Sequence, residues 1–196
     1  TASALDDVVL WLFAVVFSAL FFVATTISVA KDDAPSLFDV SQFAIVTLLF
    51  VVYTVTLVPF AGLAFFVAAA AVGFVGYAFL LRGAGADTIS LFAAICLINI
   101  LVGTVELFDG YVLTIALAFE VLAVYLLTMQ LATVQRSIYV AAGLFVLPVI
   151  SGMIDLGDSA WEAGIMHREA LSVLTVIVTL GFAVLWTMRT PALRAV

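Results

Sequence analysis

Long apolar blocks, broken by short groups of charged residues, glycine and proline, set the rhythm of this chain. The first block runs from Val8 to about Ala30 and stops at Lys31-Asp32-Asp33. The second covers 40–58 and meets Pro59, whose fixed φ and missing N–H suit a tight turn. The third, 61–81, ends at the polar, glycine-rich stretch from Arg82 to Asp87. The fourth covers 88–105, the fifth 111–129, the sixth 137–154 and the seventh 170–188. Each is close to the ~20 residues that cross a bilayer core as helix, at about 1.5 Å per residue. The pattern predicts an all-α, polytopic integral membrane bundle of seven transmembrane helices, folded as one domain over 1–196.

Composition agrees. Hydrophobic residues make up 67% of the chain, charged residues only 10%, and the mean hydropathy is +1.39. Soluble domains carry about a quarter charged residues, so this chain has too little polar surface for water. The single cysteine, Cys96, excludes a disulfide framework or a Cys-based metal cluster. The single histidine, His167, excludes paired axial ligands to haem and HExxH zinc chemistry. No cofactor and no metal are expected. A pI near 4.3 repels nucleic acid. The first apolar block is too long, and lacks the basic leader, for a cleavable signal. The opening Thr-Ala-Ser fits removal of an initiator Met or a cut from a longer chain.

The charges predict an orientation. With seven spans, Lys31, Arg82, Arg136, Arg189 and Arg194 share one side, five of the six basic residues. The other side holds Asp6, Asp7, Glu106, Asp109, Asp155, Asp158, Glu162 and Glu169, with Arg168 as its only cation. The positive-inside rule puts the N-terminus outside, the C-terminus in the cytoplasm and the protein in the cell membrane. Merging spans two and three would scatter the cations over both faces.

Few residues within the spans can carry chemistry. Glu120 is the middle residue of span five, where a carboxylate costs about 2.5–3.5 kcal/mol on insertion scales. Such a group faces the bundle interior and either marks an ion or proton path or bonds a neighbouring helix as packing glue. Asn99, on the helical stripe Cys96, Asn99, Gly103, Glu106, is its expected partner at similar depth. Ser172, Thr175 and Thr179 share a face of span seven. They line a wet path or bond back to their own carbonyls. Pro148 is expected to kink span six. Ala69, Gly73 and Gly76 form a small-residue face for close helix packing, either within the chain or on a partner. The loop with Asp155, Asp158, Trp161, Glu162, His167, Arg168 and Glu169 reads as a solvated acidic segment anchored by Trp161. A cation such as Ca²⁺ is the less favoured reading, because no EF-hand spacing supports it.

Seven spans with an external N-terminus invite comparison with microbial rhodopsins. The only lysine is Lys31, in the first loop, which argues against a lysine-linked retinal. The stretch "LFDGYVLTIALAFEVLAVYLL", followed by "RSIYVAAGLFVLPVI", resembles large uncharacterised multi-pass membrane proteins. In these an Asp-Gly turn opens a helix carrying Ala-Leu-x-Glu, and a short basic turn follows. Asp109, Gly110, Glu120 and Arg136 are the matching positions over about fifty residues. Ala118-Phe119-Glu120 departs from the usual pattern, and those proteins are much longer. The resemblance implies architecture and weight on Glu120, and no activity.

The chain reads as a non-catalytic subunit or scaffold of a membrane assembly, its partners being the bilayer and other membrane subunits or a second copy. The alternative is an ion- or proton-conducting channel or transporter with a midplane site at Glu120, Asn99 and Thr179. An enzyme is not expected, because the spans offer no Ser/His, Cys/His or paired-Asp constellation.

Overall fold

The computed structural model describes residues 2–32, 34–131, 141–157 and 167–189. The elements are α1 (Ala2–Asp32), α2 (Leu37–Leu57), α3 (Ala61–Leu81), α4 (Ala86–Leu107), α5 (Gly110–Leu131), α6 (Val146–Gly157) and α7 (Arg168–Arg189). There is no strand among the described residues. Six helices are long and apolar enough to cross a membrane, namely 7–32, 37–57, 61–81, 86–107, 110–129 and 168–189.

The helix ends follow from local chemistry. Asp39 N donates to Ser36 Oγ at 3.2 Å and Ser36 N to Asp39 Oδ2 at 2.9 Å, a reciprocal capping box that opens α2. Val58 is extended, at φ −118 and ψ 120, as steric clash with the following Pro59 requires, and α2 and α3 are therefore separate helices. At the end of α3, Gly83 adopts φ +75, so that Gly83 N reaches Leu80 O and Ala84 N reaches Phe79 O, both at 3.0 Å. That is a Schellman motif, and it needs the freedom of glycine.

Pro148 does more than the expected kink. Its ring would clash with the carbonyl of Leu144 and it has no N–H to offer it. The helix stops at Gly143, turns through Leu144 and Phe145, and restarts at Val146. Leu144 O accepts instead from Leu147 N at 3.0 Å. Pro148 thus sits in the first turn of α6, where a missing donor costs nothing. With 12 residues, α6 is about 18 Å long, short of the ~30 Å core. The expected sixth span, 137–154, begins within 132–140, which lie outside the described residues.

Where the pattern suggests one domain, packing divides the chain into two compact units, Thr1–Leu107 and Phe108–Val196. In the first unit α3 packs along α4, α1 along α2, and α2 touches both α3 and α4. Val29, Phe43, Val72, Phe92 and Ile95 form its buried cluster, with Phe22–Phe43 and Phe43–Phe92 rings edge to face at 5.4 and 5.6 Å. In the second unit α5, α6 and α7 pack against one another around Val121, Tyr125, Ala141, Phe145 and Ala183. The outward faces of both units are apolar, with Phe13, Leu20, Leu63, Phe74, Phe119 and Ile177 exposed. Such faces suit the hydrocarbon of a bilayer, and helices satisfy their backbone polar groups internally, as a bilayer requires.

Candidate functional site

Glu120 lies off the packed face of α5. The buried residues of that helix are Thr114, Leu117, Ala118, Val121 and Tyr125, a stripe at three- and four-residue spacing. Glu120 is about a quarter to a third of a turn away on its flank. Its side chain is half-buried, its Oε2 is sealed from solvent, and it is not without a partner. Asn99 sits on the α4 stripe that packs on α3, only 3% exposed. Its Nδ2 donates to Ile95 O of its own helix at 2.8 Å, and its Oδ1 is buried without a hydrogen bond among the described residues. Asn99 and Glu120 belong to different units, so their pairing stays an expectation.

The span-seven hydroxyls divide. Thr179 Oγ1 donates to Val176 O at 3.0 Å, and Thr175 Oγ1 to Leu171 O at 2.8 Å on an exposed face. Both are occupied by their own helix, the outcome expected of isolated hydroxyls in membrane helices. Ser172 behaves differently, as described below.

The face of Ala69, Gly73 and Gly76 packs on α4. Cys96 Sγ donates to Ala69 O at 3.3 Å, a Cβ added at Gly73 would meet Cys96 Sγ at 3.6 Å, and one at Gly76 would meet Phe92 Cβ at 3.0 Å. The close approach of backbone to backbone is elsewhere on this face. A Cβ at Gly62 would lie 3.0 Å from Gly103 O, and one at Gly103 would lie 3.1 Å from Gly62 O. Gly62, just inside the start of α3, is thus a packing residue.

The arrangement that sequence reasoning missed lies in the second unit. Thr114 Oγ1 of α5 donates to Asp155 Oδ2 of α6 at 2.7 Å and is 2.6 Å from Ser151 Oγ. Thr114 has one proton, committed to the carboxylate, so Ser151 is the donor in that second contact. Ser172 Oγ of α7 donates to Glu169 O at 2.8 Å and also lies 3.2 Å from Asp155 Oδ2. Thr114 and Ser172 are fully buried, and α6 comes so close that a Cβ at Gly152 would touch Thr114 Cγ2 at 3.5 Å. Asp155 therefore turns into the bundle and joins three helices, where the sequence reading puts it in the solvated loop. A second polar contact, Tyr125 OH to Thr187 Oγ1, ties α5 to α7 nearer their C-terminal ends.

Chemically the cluster is a pin. It holds no histidine or cysteine, and among the described residues no three His, Cys, Asp or Glu side chains converge to hold a metal. His167 pairs with Glu169 at the start of α7. Asp158, Trp161 and Glu162 lie outside the described residues. No known protein family, characterised protein or solved structure matches the chain.

Proposed function

We propose that this chain is a non-catalytic multi-pass protein of the cell membrane that serves as a subunit or scaffold of a membrane assembly. The observation that carries the reading is the fate of the polar groups within the helices. Thr25, Thr26, Thr56, Thr128, Thr175 and Thr187 each donate to the carbonyl four residues earlier, and Thr179 and Asn99 bond within their own helices. Hydroxyls occupied in this way do not build a water path. Function then falls to the outward faces, above all that of α1, which packs mainly along α2 and leaves Phe13, Phe17 and Leu20 bare.

The test is blue-native electrophoresis of gently solubilised membranes beside the same membranes carrying Glu120→Gln. A discrete assembly that survives the substitution supports the subunit reading. Migration of both as a lone monomer contradicts it. A second reading, ion or proton conduction with Glu120 as its carboxylate, draws support from the solvent-sealed Oε2 of that residue at mid-helix.

A further inference from the structure

Within the first unit the N-termini of α2 and α4 are finished differently. Ser36 and Asp39 cap α2. Before α4 stands Gly85, which has no side chain to offer, and the first bond of that helix is Ile89 N to Gly85 O at 3.2 Å. The N–H groups of Gly85, Ala86, Asp87 and Thr88 therefore lack intrahelical acceptors. Beside them is a recess of about 290 Å³, with Val29 and Phe79 on its apolar wall and Arg82, Gly83, Gly85 and Thr88 on its polar one.

Thr88 points to an absent ligand. It is only 2% exposed and lines the recess, yet its hydroxyl has no hydrogen-bond partner among the described residues. Most other helical threonines find the carbonyl four residues back. For Thr88 that residue is Ala84, in the turn before the helix.

We propose that this recess binds a phosphate group. Free N–H groups and the positive end of α4 suit an anion, and Arg82 adds a charge that can grip two phosphate oxygens. Asp87 and Asp32, the acids nearest in sequence, are exposed and do not line the recess. The site lies where α1 and α3 end and α4 begins, the level of lipid headgroups for helices that span the core. An apolar wall next to an anion site matches the junction of headgroup and acyl chain. The phosphate can also arrive free in solution, and the experiment separates the two sources.

The full chain is purified in an uncharged detergent. Phosphatidylglycerol retention is followed by native mass spectrometry, and thermal stabilisation by inorganic phosphate is measured in parallel. Arg82→Gln removes the cation. Gly85→Asp supplies a tethered carboxylate as cap at a position where a Cβ meets nothing within 4 Å and φ is not left-handed, so the protein stays folded. Each is expected to weaken lipid retention about tenfold, and Thr88→Val about threefold. Retention lost in the variants assigns a lipid headgroup. Phosphate stabilisation of the parent alone, with lipid retention unchanged, assigns the free anion. Equal lipid retention and equal phosphate response in the parent and both variants overturn the proposal.

Discussion

The four-helix unit and the three-helix unit hold their helices together by different means. In the first, α3 and α4 approach until Gly62 and Gly103 nearly touch through their carbonyls, and phenylalanine rings fill the space beyond. In the second, hydroxyls and a carboxylate pin α5, α6 and α7 at one end, and Tyr125 with Thr187 pins α5 to α7 towards the other. Lipid tails are as apolar as leucine, so burying apolar surface gives helices in a bilayer no net drive to associate. Close backbone contact and side-chain hydrogen bonds are the two remedies. The α3–α4 pair leans on the first, helped by Cys96 Sγ to Ala69 O, and the three-helix unit leans on the second. Trp11 Nε1 to Thr54 Oγ1 at 3.4 Å ties α1 to α2.

The comparison can be broken most severely at Gly103. Gly103→Leu forces a side chain against Gly62 O and Phe65 Cβ, each 3.1 Å from the new Cβ, and backbone cannot yield as a side chain can. It should cost about 3 kcal/mol, read as a lower denaturation midpoint in detergent titration. Asp155→Ala leaves Thr114 without its acceptor and takes the carboxylate from beside Ser172, and it should cost about 1–2 kcal/mol in the same assay. Tyr125→Phe removes one interhelical hydrogen bond, a loss of about 0.6 kcal/mol. Thr175→Val deletes an exposed, back-bonded hydroxyl and should move the midpoint by less than about 0.5 kcal/mol. If Thr175→Val proves as harmful as Asp155→Ala, the distinction between pin and back-bond fails.

Much of the fold was legible because charge, proline and glycine punctuate helices by simple sterics. Span three, 61–81, matches α3 residue for residue, since Pro59 and Arg82-Gly83 leave little choice. Apart from the C-terminal end of α2, which stops one residue short at Leu57, the other long helices extend the apolar blocks by one to six residues at their ends, into polar residues such as Asp87 and Arg189 that water or headgroups accept. Pro148 was readable as a disturbance but not as a break, because the outcome depended on Leu147 N taking over Leu144 O. The Thr114–Ser151–Asp155–Ser172 cluster was missed because Thr114 and Asp155 stand 41 residues apart and Asp155 looked like loop. One signal existed. Thr114 and Ser172 each lie one turn inside the start of their helices, and Asp155 two residues from the end of α6, so an up-down chain brings them to one level. Asn99 lies on the buried stripe of α4, and its amide Nδ2 donates to Ile95 O of its own helix, a bond that spacing alone does not reveal.

The central claim is that polar groups within these helices hold structure and do not conduct. Proton flux into proteoliposomes of the purified chain, driven by a pH gradient and followed with an entrapped dye, tests it directly. The predicted result is a rate equal to that of empty liposomes for the parent protein and for Glu120→Gln alike. Flux in the parent that Glu120→Gln abolishes would contradict the account.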